Sequence, residues 1–119
     1  MYEYPCKIVR VVDGDTVDVD IDLGFSHWIH NERIRLYGID TPECRTRDAE
    51  EKTAGLLAKK FVEDALHVGG TYTLSTKEKG KFGRYLGVIM LSDRTSINAV
   101  LVTEHLAVAY FGQSKQEIE

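Results

Sequence analysis

The stretch Asp13-Gly14-Asp15-Thr16-Val17-Asp18-Val19-Asp20-Ile21-Asp22 alternates apolar and acidic side chains from Val17 onward. In an extended chain, its three apolar residues share one face and the aspartates that alternate with them share the other. This period of two predicts a half-buried β-strand over residues 16–22. The Asp13-Gly14 pair before it is typical of a turn, so we expect it to join this strand to a first one in the β-rich residues 7–12.

The residues that follow this strand predict a hairpin with a long tip and then a third strand. Residues 23–32 contain Gly24, two histidines and Trp28, and we interpret them as the tip. Ile34, Leu36 and Ile39 mark the third strand.

A helix is predicted over residues 48–67, where apolar side chains recur at intervals of three and four. Asp48 or Thr46 can cap its start, acidic residues occupy its first turn, and Gly69-Gly70 ends it.

The second half of the chain predicts two more strands and one more helix. Residues 71–75 and 84–91 are the strands, and the basic, glycine-containing segment 77–83 is the loop between them. A second helix is expected over residues 96–104. His105 follows it where a glycine would suit a left-handed cap, so we expect that turn to be rebuilt.

The resulting order, β-β-β-α-β-β-α, predicts a mainly β, α+β fold. Three meandering strands, a helix and two further strands are the order of a closed five-stranded OB barrel, which leaves no exposed sheet edge. We therefore expect residues 1–119 to form a single OB-fold domain with two helices.

Composition restricts the function classes. The net charge of −4 counts against a protein that coats nucleic acid through a broad basic surface, but it allows local binding of one or two phosphates. Two cysteines, Cys6 and Cys44, are too few for a disulfide framework, and whether they pair is left open. Without a membrane-length apolar run or a signal peptide, we expect a cytoplasmic monomer, or a secreted protein if a leader was removed.

Oxygen ligands and arginines form the candidate catalytic set. Asp15 and Asp40 lie at strand ends and can supply carboxylates to a hard cation such as Ca²⁺, with the Thr41 carbonyl as a third ligand. Two side chains, Arg35 and Arg84, can bind phosphate bidentately. Glu43 can deprotonate or orient the attacking water.

Several of these features also have ordinary explanations. An Asp-Gly-Asp segment is usually only a turn, and the aspartate face of the second strand is most simply a solvated surface. An EF-hand over Asp18–Ile29 is excluded, because its sixth position is Leu23 and its twelfth is Ile29. His27 and His30 have no further ligands nearby, which favours surface residues over a zinc site.

In combination, the motifs resemble the staphylococcal nuclease family. The matching blocks are Asp13-Gly14-Asp15-Thr16-Val17, Arg35-Leu36 with Ile39-Asp40-Thr41-Pro42-Glu43, Lys81-Phe82-Gly83-Arg84, and residues 97–102 with 106–110. They keep their order over roughly residues 6–111.

The resemblance implies an OB barrel that cleaves DNA and RNA with Ca²⁺ and leaves 3′-phosphates. It implies Ca²⁺ ligands at Asp15, Asp40 and the Thr41 carbonyl, and a general base at Glu43. It also implies phosphate-binding arginines at Arg35 and Arg84, and nucleotide-holding positions at Lys81, Phe82 and Tyr110.

Besides His105, which stands where a glycine would follow the second helix, the chain departs from the family pattern in three places. Phe82 replaces a tyrosine, so the ring can stack but its hydroxyl is lost. Extra length between Asp15 and Asp40 lies in the Phe25–Glu32 hairpin, and the family's C-terminal helix is expected to be truncated or absent.

Three functions remain under consideration. The first is an active nuclease that prefers single-stranded DNA or RNA, because an acidic protein with one small cationic pocket cannot offset the cost of opening a duplex. The second is a catalytically silent OB module that binds single-stranded nucleic acid or a protein. The third is a purely structural domain, which would leave the acidic and arginine residues unexplained.

Overall fold

The computed structural model describes residues 2–44, 46–79, 85–92 and 94–110. Within these residues, eight strands and two helices follow one another as β1 (Glu3–Asp13), β2 (Thr16–Gly24), β3 (His27–Leu36), β4 (Ile39–Asp40), α1 (Ala49–Ala65), β5 (Thr71–Lys79), β6 (Tyr85–Ser92), β7 (Thr95–Ser96), α2 (Ile97–Thr103) and β8 (Val108–Ala109). The predicted order is confirmed, with three two-residue strands added to it.

Five long strands form a closed barrel. Their order is β3-β2-β1-β5-β6 with antiparallel neighbours, and β6 pairs back onto β3 in parallel, with Ile34 opposite Tyr85. The barrel predicted from the sequence is therefore confirmed. The core includes the following fully buried side chains: Ile8, Val17, Val19, Ile34, Leu36, Leu74, Ile89, Ile97 and Leu101.

The long hairpin tip predicted for residues 23–32 is wrong. β2 continues to Gly24 and β3 begins at His27, which leaves Phe25 and Ser26 as a two-residue turn. Both turn residues have positive φ, 54° and 63°, as the hairpin turns that match the right-handed strand twist require. Trp28 and Ile29 are also good strand formers, so the pairing of β2 with β3 continues up to this turn.

The third strand is shorter than predicted at its C-terminal end. β3 stops at Leu36, the chain turns at Gly38 with φ of 80°, and Ile39 begins the separate strand β4. β4 pairs with β8, placing Asp40 opposite Val108. Asp40 is thus held by a small second sheet rather than by the barrel.

The predicted long helix is confirmed as α1, and Asp48 is its N-cap. The Asp48 carboxylate accepts hydrogen bonds from the backbone N–H groups of Glu50 and Glu51 at 2.9 and 3.1 Å. α1 ends before Leu66, and its buried side chains Ala58 and Val62 face the barrel. None of the helices in the described part of the chain is long and apolar enough to cross a membrane.

The expectation that the turn after α2 would be rebuilt is also wrong. His105 adopts the left-handed conformation itself, with φ of 61°. The N–H groups of Leu106 and Ala107 then both donate to the Leu101 carbonyl, at 2.9 and 3.2 Å, and satisfy the helix end. The predicted C-terminal truncation concerns residues 111–119, which lie outside the described residues, as does most of the predicted basic loop; β5 itself continues to Lys79.

Candidate functional site

Three chain segments converge at one end of the barrel. Asp15 precedes β2, Arg35 lies in β3 opposite Thr16, and Asp40 lies in β4. The Leu36 N–H donates to the Asp15 carbonyl at 2.8 Å, which extends the β2–β3 ladder to Asp15. The backbone therefore brings together the three charged residues that the sequence predicted to share a site.

Arg35 is fixed from both sides. Its Nη1 donates to the backbone carbonyls of Leu36 and Ile39 at 3.1 and 2.9 Å. Its Nη2 lies 3.3 Å from Asp40 Oδ1 and 3.7 Å from Asp15 Oδ2. Since both carboxylate oxygens lie within 4 Å of one nitrogen atom, the two acidic groups are close neighbours across the guanidinium.

Asp15 is also oriented by neighbours of its own. The Thr16 hydroxyl donates to Oδ1 at 3.0 Å, and the Thr41 N–H donates to Oδ2 at 3.3 Å. The second contact joins the start of β2 to the segment after β4 and buries Thr41. Asp15, Asp40 and Thr41, the three predicted metal ligands, therefore lie in one contact network.

The charges of this network suit a cation. Asp15 and Asp40 bring two carboxylates together, and the side chains of Asp15, Asp40 and Arg35 are only 13%, 21% and 15% exposed. Partial burial strengthens the attraction for a positive ion, and an all-oxygen donor set matches Ca²⁺. Within the described residues, no group of three or more His, Cys, Asp or Glu side chains could hold a metal. The donor set therefore fits Ca²⁺ only with carbonyl and water oxygens added.

Glu43 lies at the surface beside this network. It follows Thr41 by two positions and its side chain is exposed. Its backbone N–H points toward the Glu51 Oε1 of α1 at 3.5 Å.

The other predicted site residues divide into two groups. Tyr110 reaches the site region, because its N–H donates to the Gly38 carbonyl at 2.8 Å, two residues before Asp40. Lys81, Phe82 and Arg84 lie outside the described residues.

The two hairpin histidines are placed as surface residues. His30 pairs with Asp20, at 3.3 Å from Nδ1 to Oδ1, and stacks on Trp28. His27 and His30 both lie on the exposed part of β3.

Sequence reasoning did not assign a role to Asn98. This buried side chain donates to the carbonyls of Tyr37 and Gly87 at 2.9 and 3.1 Å, and accepts from the Ile89 N–H at 3.3 Å. It thereby ties α2 to β6 and to the turn before Asp40. A buried polar residue early in an otherwise apolar helix was the available signal, but its partners are too distant in sequence to infer.

Both cysteines are free thiols. Burial raises the pKa of Cys6 to about 11. Burial and a hydrogen bond with Asp13 raise the pKa of Cys44, which follows Glu43 in the chain. A raised pKa keeps Cys44 protonated at neutral pH, so it is a poor nucleophile there.

Comparisons with known proteins relate this chain to nucleases. The family model described as staphylococcal nuclease homologue matches residues 33–119. The thermonuclease of Staphylococcus intermedius is 34% identical over 105 residues, which cover 87% of this chain and 58% of that protein. The micrococcal nuclease of Shigella flexneri is 30% identical over 115 residues, which cover 87% and 57%. An endonuclease of Bacillus subtilis is 29% identical over 116 residues, 92% of this chain but 9% of that protein. This chain thus spans little more than half the length of the first two relatives.

Proposed function

The chain belongs to the staphylococcal nuclease family, and we propose on this basis that it is a Ca²⁺-dependent nuclease that hydrolyses phosphodiester bonds of DNA, RNA or both. The observation that carries the proposal is the joint placement of Asp15, Asp40 and Arg35 at one end of the barrel. A structural domain or a silent module has no need for two partly buried carboxylates side by side, because burying charge is unfavourable.

In this proposal Asp15, Asp40 and the Thr41 carbonyl hold the cation, with waters completing its shell. When bound, Ca²⁺ supplies a positive charge that stabilises the charge developing on the phosphate oxygens. Asp15 is prepared for this role because Thr16 and Thr41 fix its carboxylate before any ligand binds. Each Asp15 carboxylate oxygen accepts one of these hydrogen bonds and has a second lone pair that can face the ion.

Arg35 and Arg84 bind the scissile phosphate. Two backbone carbonyls anchor the Nη1 of Arg35, so its guanidinium plane is already oriented and loses little freedom when phosphate arrives. Arg84 is assigned from the sequence motif, in which it follows Gly83 at the end of the basic loop.

Glu43 acts as the general base. Its exposed carboxylate lies on the segment that leaves the metal ligands, where it can take a proton from a water attacking the phosphorus. Because the family mechanism ends with a 3′-phosphate, the bond that breaks is the one between phosphorus and the 5′ oxygen.

The substrate in this proposal is single-stranded or frayed nucleic acid. The net charge of −4 provides no broad surface for phosphate contacts, so binding depends on the local site. Lys81 contacts the substrate phosphates, while the Phe82 ring and Tyr110 hold the nucleotide; stacking of bases on aromatic rings suits unpaired strands.

Incubation of the purified protein with heat-denatured and native DNA, in Ca²⁺ or in EDTA, tests this function. We expect cleavage of denatured DNA with Ca²⁺, slower cleavage of native DNA, and none in EDTA. Unchanged cleavage in EDTA would contradict the metal requirement. Binding of single-stranded DNA without cleavage would favour the silent OB module instead.

A further inference from the structure

One face of α1 lies directly against the two segments that carry the candidate catalytic residues. Glu51, Gly55 and Ala58 are spaced by four and three residues, which places them in one row along a helix. Each of them approaches either the segment after β4 or the turn before β2.

Gly55 allows the closest approach. A Cβ atom at this position would lie 2.6 Å from the Glu43 carbonyl oxygen and 2.8 Å from the Pro42 carbonyl oxygen. These neighbours are backbone atoms, which cannot rotate away as a side chain can. The helix backbone therefore packs against the backbone that carries Glu43, and the two cannot shift independently.

Ala58 makes the corresponding contact with the turn that carries Asp15. A Cβ atom at Gly14 would lie 2.8 Å from Ala58 Cβ and 3.1 Å from the Thr41 side chain. The same helix face thus contacts the segments on both sides of the site, so α1 sets their relative position.

Glu51 adds a polar contact to this row. Its Oε1 accepts from the Glu43 N–H at 3.5 Å, a long hydrogen bond, while its own N–H is held by the Asp48 cap at 3.1 Å. The side chain is partly buried, in contrast to its exposed neighbour Glu50. The cap fixes the first helical turn, and the turn presents a carboxylate to the backbone of the proposed general base.

We propose that Glu51 is a positioning residue: its carboxylate holds the Glu43 backbone N–H and so sets where the Glu43 carboxylate lies relative to the attacking water. This inference rests on the proposed function. Glu51 is not itself a metal ligand or a base, so its removal should lower kcat and leave KM and Ca²⁺ affinity unchanged.

Three variants test the role. Glu51→Ala removes the acceptor, and Glu51→Gln keeps an amide oxygen in its place. Glu50→Ala is the matched control, because Glu50 has the same charge, lies in the same helical turn and donates its N–H to the same Asp48 oxygen. Steady-state kinetics on single-stranded DNA and amide exchange of Glu43 by NMR are measured for each.

We expect Glu51→Ala to lower kcat roughly tenfold, less than the 10²-fold that a misplacement of about 1 Å can cost. Glu51→Gln should restore most of the rate, and the Glu43 amide should exchange faster in Glu51→Ala alone. Equal effects of Glu51→Ala and Glu50→Ala would overturn the proposal, as would a Gln variant as slow as the Ala variant.

The exchange measurement tests the Glu51–Glu43 contact independently of nuclease activity. If the unmutated protein does not cleave nucleic acid, the proposed nuclease function is wrong. Faster Glu43 exchange in Glu51→Ala would then still support the positioning contact, and unchanged exchange would overturn it.

Discussion

Replacement of Arg35 by glutamine probes the charge balance of the site. Gln removes the positive charge but keeps an amide that can satisfy one of the two backbone carbonyls bound by Nη1. Asp15 and Asp40 then face each other without the guanidinium that lies 3.7 and 3.3 Å from their oxygens.

The size of the effect follows from these distances and from the burial. Opposite charges at this separation attract by about 4 kcal/mol each at an effective dielectric constant near 20, and desolvation offsets much of that. Removing one partner of a fully buried ion pair costs about 3–5 kcal/mol. Because the three side chains retain 13–21% exposure, water relieves part of this cost. We expect a loss of about 2–4 kcal/mol in the free energy of unfolding.

Urea denaturation in EDTA measures this loss, and Arg33→Gln is the control. Arg33 lies two residues earlier in β3 and pairs with Asp18 through two hydrogen bonds, but its side chain is 48% exposed. Exposed pairs contribute at most about 1 kcal/mol. Added Ca²⁺ should recover part of the stability lost in Arg35→Gln, because a ligand that binds only the folded state stabilises it.

A loss in Arg35→Gln no greater than that in Arg33→Gln would refute this reasoning. It would mean that Asp15 and Asp40 do not depend on the guanidinium for charge compensation. The absence of any stabilisation by Ca²⁺ in Arg35→Gln would refute the attraction of this group for a cation.

Four further outcomes are expected. Glu43→Gln should lower the cleavage rate by roughly 10²- to 10⁴-fold, as loss of a general base does, with calorimetric Ca²⁺ affinity nearly unchanged; an unaltered rate would assign the base elsewhere. Arg84→Lys should cleave more slowly with an unchanged urea midpoint, because lysine keeps the charge but not the planar fork; equal rates would exclude bidentate binding. Asn98→Ala should lower the free energy of unfolding by about 3 kcal/mol, since it leaves three backbone groups without their side-chain partner; a loss under about 1 kcal/mol in urea would contradict that role. Burial raises the pKa of Cys6 from 9.0 to about 11, so the stability that its protonated thiol provides is complete below pH 9 and is lost as the pH rises toward 11. The urea midpoint should therefore fall less over this pH range in Cys6→Ala. An equal fall in both proteins would show that Cys6 does not titrate this way.

Local patterns predicted the parts of the fold that depend on local physics. The alternation of Val17, Val19 and Ile21 placed β2 correctly, and the helix cap was narrowed to Asp48 or Thr46, of which the structure has Asp48. The hairpin tip was misjudged because Phe25-Ser26 lacks the Asn-Gly or Asp-Gly signature of a two-residue turn. The pairing of β2 with β3 determined the conformation of this turn.

The candidate site was predictable only where its residues lie in recognisable motifs. Asp15, Arg35 and Asp40 were identified together, and the structure brings them into contact. The role of Asn98 depends on a contact with Tyr37, 61 positions earlier in the chain, and that of Gly55 on contacts with the Pro42 and Glu43 carbonyls. No local pattern encodes such contacts, so they could be found only in the folded structure.

Asp15 and Asp40 are proposed to bind the cation that hydrolysis requires. Calorimetric titration with Ca²⁺ of the unmutated protein, Asp40→Ala and Asp22→Ala tests it most directly. Asp22→Ala is the control, because it removes the same charge at the far end of β2. There the Asp22 Oδ1 accepts a hydrogen bond from the Gly24 N–H. We predict binding to one site in the unmutated protein and in Asp22→Ala, and affinity at least about tenfold weaker in Asp40→Ala, as loss of one of two carboxylate ligands requires. Equal affinity in all three proteins would show that Asp40 does not bind the cation.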